Sequence, residues 1–389
     1  MTTAPTIIES TKPPTEAVAA TGEGTQPRPG TDGASAGPLL EVEDLAVSFA
    51  TADKTWKTTV EGVSFAVGQG EILGIVGESG CGKSVTSFSI PRLHDERTTR
   101  YEGRITFDGR DMLALDQASL RALRGEDIGF IFQNPMSSLD PLMRIGRQLE
   151  ETVTVHHRHL TRREVRERCV EALTEAGADR PDLWMGKYPY QMSGGQLQRV
   201  VIAMALVNKP KLLIADEPTT ALDVTIQAQL LRVLRSLRDR LGMSIILITH
   251  DMGVVAQMCD RVAVMYLGQI VETAPVGELF AHPSHPYTKG LLSATPPLTG
   301  PRPKRLATIE GSVPQLSEVT DGCRFASRCP FATAACRSGR IAMQQVGEAH
   351  SIRCTRVGEV RDLPFQTTQD RQDGAGADAE TAEPTGQEA

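Results

Sequence analysis

The chain has 389 residues, of which 40% are hydrophobic, 23% charged and 4% aromatic, and its net charge is −7. This composition is ordinary for a globular protein of two or three folding units with a largely aliphatic core, and it offers no basic surface of the kind that binds nucleic acids. Because no apolar run reaches the roughly 18–20 residues that span a bilayer and no secretory signal begins the chain, we expect a cytoplasmic protein without a membrane span.

Both ends of the chain have the composition of disordered tails. Residues 1–37 are rich in Thr, Pro, Ala and Gly, and the acidic segment 361–389 carries most of the excess negative charge. Segments of this kind cannot bury enough apolar surface to fold alone. We therefore expect neither tail to carry the chemistry.

Between the tails, predicted strands alternate with predicted helices. The strands are "LLEVEDLAVSF", "GVSFAVGQGEILGIVG", "GRITFDG", "DIGFIFQNP", "KLLIADEP" and "SIILITHD", and the helices include "KSVTSFSIPRL", "GGQLQRVVIAMALVNKP" and "TIQAQLLRVLRSLRDRLG". Fully apolar strands that alternate with helices predict an α/β core whose parallel sheet is covered on both faces. We assign this core to residues 38–285, with a helical subdomain at about 141–200, and a small cysteine-rich extension to residues 286–360.

The stretch "GESGCGKS" at residues 77–84 matches the phosphate-loop pattern G-x-x-x-x-G-K-[ST], and it lies between a predicted strand and a predicted helix. Its backbone N–H groups and the N-terminus of the helix would face phosphate oxygens. Lys83 would reach the β- and γ-phosphates, and the Ser84 hydroxyl would bind Mg²⁺. The candidate nucleotide-binding residues of this loop are Gly77, Glu78, Ser79, Gly80, Cys81, Gly82, Lys83, Ser84 and Val85.

The strand "LLIADE" ends in two carboxylates, at the edge where ligands bind in α/β sheets. Asp216 suits the Mg²⁺ shell and the nucleotide site, and Glu217 suits the general base that activates the attacking water. Gln133 follows "IGFIF" and can reach both the metal and the water, and His250 follows "IILIT" and can hydrogen-bond the γ-phosphate. The predicted catalytic residues are thus Glu217, His250 and Gln133, and the predicted Mg²⁺ ligands are Ser84, Gln133 and Asp216.

The stretch "MSGGQLQR" at residues 192–199 resembles the LSGGQ signature of the ABC ATPases, with Met192 in place of the leading Leu. Together with the phosphate loop, Gln133, the "LLIADE" strand, the "ALD" turn at residues 221–223 and His250, it gives six motifs in the family's order over roughly residues 39–355. The resemblance implies a P-loop ABC nucleotide-binding fold: a parallel-sheet core, an antiparallel β subdomain and a helical subdomain.

The same resemblance implies two such domains that sandwich two ATP molecules head to tail. Each signature would then reach the ATP held by the partner domain, through Ser193, Gly194, Gly195, Gln196 and Asp223. Phe49 in "LAVSF" matches the aromatic residue that stacks on adenine in this family. One alternative is that Trp56 has that role. The other is that Phe49 is simply a residue of the core.

Three further stretches resemble the ATP-binding subunits of oligopeptide and dipeptide importers: "FIFQNPMSSLDPLMRIGRQL", "LFAHPSHPYTKGLLSATP" and "GCRFASRCPFATAACR". The resemblance implies an ATPase that powers peptide import from the cytoplasmic face of the membrane. It implies as partners a second ATPase subunit, for which we favour a paralogue, two separate permeases and a solute-binding protein. Import of nickel or another small solute, an exporter, and an ABC ATPase acting in translation or DNA repair are the alternatives.

The apolar segment at residues 131–142 is a candidate docking surface for the permeases, and local packing is the alternative.

Four of the seven cysteines gather near the end of the chain, at Cys323, Cys329, Cys336 and Cys354. The spacing C-x5-C-x6-C-x17-C lacks the tight pairs of structural zinc sites and suits an iron–sulfur cluster held by a flexible segment. The importer resemblance also implies a [4Fe–4S] cluster here. Zinc and metal-free cysteines, reduced or paired in disulfides, stay open as alternatives.

Overall fold

The computed structural model describes residues 37–219, 223–294, 308–319 and 321–363. The predicted tails lie almost entirely outside these residues, and so do Ala221 and Leu222 of the "ALD" turn. The strands are β1 Leu40–Ala50, β2 Trp56–Val67, β3 Ile72–Val76, β4 Thr99–Phe107, β5 Arg110–Asp111, β6 Ile128–Ile131, β7 Leu212–Asp216, β8 Ser244–Thr249, β9 Arg261–Tyr266, β10 Gln269–Pro275, β11 Gln344–Gly347 and β12 His350–Ile352. The α-helices are α1 Lys83–Ser89, α2 Gln117–Leu123, α3 Ile145–His156, α4 Arg162–Glu175, α5 Pro181–Met185, α6 Gly194–Leu206, α7 Val224–Leu241, α8 Met252–Met258, α9 Val276–Ala281, α10 Pro286–Ser293 and α11 Val357–Val360.

The larger sheet has the strand order β11-β12-β10-β9-β3-β8-β7-β6. The five strands from β9 to β6 are parallel to their neighbours, whereas β10, β12 and β11 are antiparallel and form one edge. The predicted α/β core is therefore confirmed, with an antiparallel edge added to its parallel part. In a parallel sheet the carboxyl ends of the strands lie along one side, so the loops after β3, β6, β7 and β8 open on the same side.

Side chains of the central strands alternate between two hydrophobic cores, as the period-two geometry of a strand requires. Leu73 and Ile75 of β3 point into the core beneath the smaller sheet, whereas Ile72 and Val76 point into the core that contains α6 and α7. Both faces of the sheet are thus buried. This explains why β3, β7 and β8 consist of consecutive apolar residues rather than an alternating pattern.

The smaller sheet has the order β2-β1-β4-β5, with β1 antiparallel to both of its neighbours. It is the antiparallel β subdomain that the resemblance implies. The predicted hairpin arm "GRITFDG" covers the end of β4 and the turn into β5.

The predicted helical region at 141–200 contains α3, α4, α5 and the first half of α6. Helix α4 begins at a capping box, in which Thr161 and Glu164 each bond the other's backbone N–H. Helix α7 ends at Gly242, whose φ of 66° places it in the left-handed region that favours glycine. None of the helices that the structure describes combines the length and the apolar composition needed to cross a bilayer.

The extension after α9 shares the larger sheet rather than forming a separate layer. Strand β12 pairs with β10, with Glu272 opposite Ile352, and β11 pairs with β12. His350 of β12 is fully buried, and its Nε2 lies 2.8 Å from Oε1 of Glu272. The cysteine-bearing segment is therefore connected to the core by both a backbone ladder and a buried polar pair.

Candidate functional site

The phosphate loop joins β3 to α1 and curls at three glycines with positive φ, Gly77, Gly80 and Gly82. Gly77 has a φ of 155°, and a Cβ at that position would lie 2.1 Å from the carbonyl oxygen of Met265, so only glycine fits. Lys83 is buried, and its Nζ donates to the carbonyl oxygens of Gly77 at 2.8 Å and Glu78 at 3.0 Å. The lysine therefore crosses the inside of the curl, where the phosphates of a nucleotide would lie.

Ser84 and Asp216 meet where the loop enters α1 and β7 ends. Burial of Asp216 raises the pKa of its carboxyl group, and the negative charge of Glu217 raises it further, while the hydrogen bond with Ser84 opposes both. A hydroxyl beside a carboxylate offers the oxygen donors that Mg²⁺ prefers. The residues present therefore fit a magnesium ion, with Asp216 and Ser84 as its holders.

Three predicted catalytic side chains converge from three different strand ends. Glu217 follows β7 and adopts a φ of 48°, which is uncommon for a side chain other than glycine. Gln133 donates through Nε2 to Oε2 of Glu217 at 3.0 Å, and Nδ1 of His250 lies 3.5 Å from Oε1 of the same carboxylate. The carboxylate is thus contacted on both oxygens, beside the Ser84–Asp216 pair.

The signature segment forms the N-terminus of α6. Ser193 is the N-cap residue and forms a capping box with Gln196, so that the helix begins at Gly194. Asp223 caps α7 in the same way, because its carboxylate accepts from the backbone N–H of Ile226 at 2.9 Å. Both predicted trans-acting groups therefore lie at helix N-termini, where the helix dipole favours anions.

Phe49 and Trp56 lie in different environments. Phe49 packs against the core beneath the smaller sheet, and its ring meets that of His94 edge-on at 5.1 Å between centroids. Nε2 of His94 lies 3.1 Å from the carbonyl oxygen of Val85 in α1. Trp56 is 36% exposed, and the guanidinium of Arg100 lies 3.8 Å from the centre of its ring. Phe49 is the one of the two that packs beside the helix of the phosphate loop.

The apolar segment at residues 131–142 is divided between the core and the surface. Ile131 and Leu139 are buried, whereas Phe132, Met136 and Leu142 are 37%, 50% and 86% exposed. Local packing therefore accounts for only part of the segment. The exposed part lies on both sides of Gln133, which contacts the carboxylate of Glu217.

The cysteines Cys323, Cys329, Cys336 and Cys354 line one cavity, which Phe325, Phe331 and Ile341 also line. Burial raises the pKa of Cys323 to about 11 and that of Cys329 to about 12, and it also raises that of Cys354. Burial would raise the pKa of Cys336 too, but its hydrogen bonds with Thr333 and Thr355 lower it below the usual value. Across the described residues, no group of three or more His, Cys, Asp or Glu side chains is placed to hold a single metal ion.

Two residues of the extension contact the phosphate loop, and the sequence patterns did not indicate either contact. Arg328 forms a bidentate ion pair with the carboxylate of Glu78, at 2.6 and 3.0 Å. The hydroxyl of Tyr287 accepts from the backbone N–H of Glu78 at 2.8 Å. Arg328 precedes Cys329 in the motif that carries the importer resemblance, but no periodicity or spacing relates it to a loop 250 positions away.

Two family models match the chain. One, described as ABC transporter, matches residues 60–220, and the other, described as oligopeptide/dipeptide transporter, C-terminal region, matches residues 271–336. A protein of Brucella abortus (strain 2308), whose name describes a peptide import ATP-binding protein, is 49% identical over 82% of this chain and 94% of its own length. A protein of Sinorhizobium fredii (strain NBRC 101917 / NGR234), named as a peptide ABC transporter ATP-binding protein, is 48% identical over 84% of this chain and 97% of its own.

Solved structures show the same fold. The dimeric ATP-binding cassette MJ0796, in a post-hydrolysis state bound to ADP and Pi, aligns with a TM-score of 0.55 at 28% identity, over 61% of this chain and 99% of its own. CbiO1 of Clostridium perfringens, part of the ABC transporter complex cbiONQ, aligns with a TM-score of 0.54 at 30% identity, over 63% and 91%.

Proposed function

The chain belongs to the ABC transporter ATPases, in the branch that carries the oligopeptide/dipeptide transporter C-terminal region, and we propose that it binds and hydrolyses ATP to power an importer of peptides. The observation that carries this proposal is the convergence of Lys83, Ser84 and Asp216 with Glu217 on one side of a parallel sheet. The C-terminal region and the names of both relatives favour peptides over nickel or another small solute.

In the proposed mechanism, the phosphate loop and Lys83 orient the phosphates of ATP. Glu217 accepts a proton from the water that attacks the γ-phosphate, and Gln133 fixes the position of the carboxylate. His250 would hydrogen-bond the γ-phosphate. Ser84, Gln133 and Asp216 would hold Mg²⁺, which would supply positive charge that offsets the charge of the phosphates. Asp216 can bind Mg²⁺ only when its carboxyl group is ionised.

Dimerisation supplies the second half of the site. Ser193, Gly194, Gly195 and Gln196 present a helix N-terminus, a type of anion site, to an ATP on a second ATPase subunit, and Asp223 lies at the neighbouring helix. The dimeric solved cassette supports this arrangement. A paralogue as the second subunit is the choice that we favour.

Coupling to transport requires permeases on other chains, so the subunit would lie at the cytoplasmic face of the membrane. The exposed apolar side chains Phe132, Met136 and Leu142 form a docking surface beside Gln133. Closure of the dimer on ATP and its reopening after hydrolysis would then bias the permeases between two states. A solute-binding protein would deliver the peptide.

The test is reconstitution of the full chain with its partner ATPase and permeases in vesicles. We expect ATP hydrolysis and uptake of a labelled dipeptide or oligopeptide, both abolished by Lys83→Ala, because the lysine contacts the phosphates. Uptake of nickel without peptide uptake would support the small-solute alternative. A chain that hydrolyses ATP while bound to ribosomes or DNA and never to permeases would refute the transport function.

For the four cysteines, we infer a [4Fe–4S] cluster. Support comes from the chemistry of the donors, since four thiols line one largely apolar cavity and such a segment is typical of iron–sulfur ligation. Thiols are mostly protonated at neutral pH, and burial raises the pKa of Cys323 and Cys329 further, so metal binding here would release protons.

Iron, sulfide and zinc measured in protein purified without oxygen test this inference. We expect iron, sulfide and broad absorbance at roughly 400 nm, as for protein iron–sulfur clusters. Cys329→Ser should remove the absorbance, whereas Cys259→Ser, at a buried cysteine outside the cavity, should keep it. A colourless, iron-free protein with an intact ATPase would refute the cluster, and stoichiometric zinc would replace it.

A further inference from the structure

Glu78 of the phosphate loop is held at each of its polar groups by four residues, and two of the four, Tyr287 and Arg328, lie outside the nucleotide-binding motifs. Its carbonyl oxygen accepts from Lys83, its N–H donates to Tyr287, and its carboxylate binds Arg328. Tyr287 belongs to α10, and Arg328 lies between Cys323 and Cys329. The conformation of the loop at Glu78 is therefore set jointly by the ATPase core and by the extension.

Arg328 is itself rigidly placed. Its side chain is only 5% exposed, its Nε donates to the carbonyl oxygen of Glu310 at 3.0 Å, and its guanidinium lies over the ring of Tyr266. Burial alone would lower the pKa of the guanidinium, but its bidentate pair with Glu78 and the nearby hydroxyl of Tyr266 raise it above the usual value, so the group is always charged.

The segment that carries Arg328 is anchored by an aromatic cluster. Phe325 is fully buried, with its ring centre 5.2 Å from that of Tyr266 and 5.3 Å from that of Tyr287. Tyr287 is also fully buried. Movement of the cysteine segment would therefore move Arg328 and disturb the same tyrosine that holds the N–H of Glu78.

A carboxylate in an anion-binding loop opposes phosphate, because like charges repel and the repulsion grows as water is excluded. A bidentate guanidinium cancels that charge and fixes its direction. We propose that Arg328 is a positioning residue of the phosphate loop, which neutralises and orients Glu78 so that the cysteine segment sets the affinity of this chain for ATP. This inference rests on ATP binding at the loop, as in the proposed function.

The test compares full-length variants by the Kd for MgATP, and by KM and kcat of ATP hydrolysis in the complex assembled with its partners. Arg328→Gln should raise Kd and KM by about tenfold, within the range for loss of one charge-assisted pair, with kcat changed by less than about twofold. Arg328→Lys keeps the charge but not the bidentate geometry, so it should give a smaller rise, and it replaces the glutamine variant if that variant fails to fold.

The double variant Glu78→Gln with Arg328→Gln separates electrostatics from folding. Removal of both charges leaves no repulsion, so its Kd should return most of the way to that of the unchanged chain. Arg353→Gln is the matched control, because Arg353 is a buried arginine of the same extension that bonds the carbonyl oxygens of Ile270 and Ile341. The Kd of Arg353→Gln for MgATP should equal that of the unchanged chain.

An unchanged Kd in Arg328→Gln, an equal rise in Arg353→Gln, or no recovery in the double variant would each overturn the inference. Lys83→Ala distinguishes failure of this inference from failure of the proposed function. If Lys83→Ala binds MgATP as tightly as the unchanged chain, ATP binding at this loop is wrong. If Lys83→Ala loses binding while Arg328→Gln keeps it, only the role of Arg328 is wrong.

Discussion

Gln133 donates a hydrogen bond of 3.0 Å to the carboxylate of Glu217, across 84 positions of sequence. The two residues follow β6 and β7, which are neighbouring parallel strands with Ile131 opposite Ala215. The bond connects the loop that precedes the exposed apolar side chains Met136 and Leu142 with the proposed general base. If permeases dock on these side chains, as proposed, their binding would reach the carboxylate of Glu217 through Gln133.

We predict that Glu217→Gln lowers ATP hydrolysis by roughly 10²–10⁴-fold, the usual contribution of a positioned general base. The amide keeps the hydrogen-bonding shape but cannot accept the proton of water. The Kd for MgATP should stay within about twofold, because Lys83 and the loop still bind the phosphates.

Glu175→Gln is the matched control for this change. Glu175 forms an ion pair with Arg240 at the ends of α4 and α7, so its loss should leave hydrolysis unchanged. Equal rates in Glu217→Gln and the unchanged chain would rule out Glu217 as the base. Phosphate release from the assembled complex is the measurement.

Phe49 should contribute to adenine binding and Trp56 should not. Loss of one aromatic–base stack costs about 1–3 kcal/mol, so Phe49→Ala should raise the Kd for MgATP by about tenfold. Phe49→Tyr should retain the affinity, since it keeps the ring, and it controls for the packing that alanine removes. A larger effect of Trp56→Ala in the same titration would reverse the assignment, and no effect of either would leave Phe49 a core residue.

The site was predictable where short sequence segments dictate local geometry. A phosphate loop is continuous in sequence, and side chains that follow apolar parallel strands must lie on one side of the sheet, so Gln133, Glu217 and His250 could be placed without coordinates. The start of α6 was also predictable, because Ser193 and Gln196 form a capping pattern that is local.

The contacts of the extension could not be predicted in this way. Strands β11 and β12 are short and partly polar, so no apolar alternation marks them. Their register is defined only by the pairing of β12 with β10 and of β11 with β12. The pair of Arg328 with Glu78 depends on tertiary packing around Phe325. A motif match identifies such a segment, but it does not reveal which residues the arginine in it contacts.

Ser193 should act on hydrolysis in the dimer and not on nucleotide binding by one chain. Ser193→Ala removes an N-cap, which typically costs about 1 kcal/mol of stability. Thr161→Ala removes the N-cap of α4 and breaks its capping box as well, so it is a matched control for that loss. Both should lower Tm by a similar amount and leave the Kd for MgATP unchanged.

Only Ser193→Ala should lower ATP hydrolysis of the assembled complex, because only this hydroxyl would face the ATP of the second subunit. Equal hydrolysis in the two variants would argue against a role of the signature at the partner's ATP.

The burial of His285 leads us to predict how the stability of the fold depends on pH. It is fully buried at the start of α10, and its Nδ1 accepts from the backbone N–H of Tyr287 at 3.1 Å, which requires an unprotonated nitrogen. Burial lowers the pKa of this imidazole from 6.5 to about 4, although the charge of Glu272 acts in the opposite direction. The folded state thus keeps His285 neutral well below the pH at which the unfolded chain binds a proton.

A histidine with a lowered pKa in the folded state stabilises the fold above its unfolded pKa, and that contribution is lost as pH falls from about 6.5 towards 4. The loss from this group is about 3 kcal/mol of unfolding free energy on reaching pH 4. His285→Asn keeps a capping acceptor but cannot titrate, so its urea midpoint should fall less steeply over this window than that of the unchanged chain. His282→Asn, at an exposed histidine, should keep the original slope, and identical slopes in all three proteins would show that His285 is not the group that titrates.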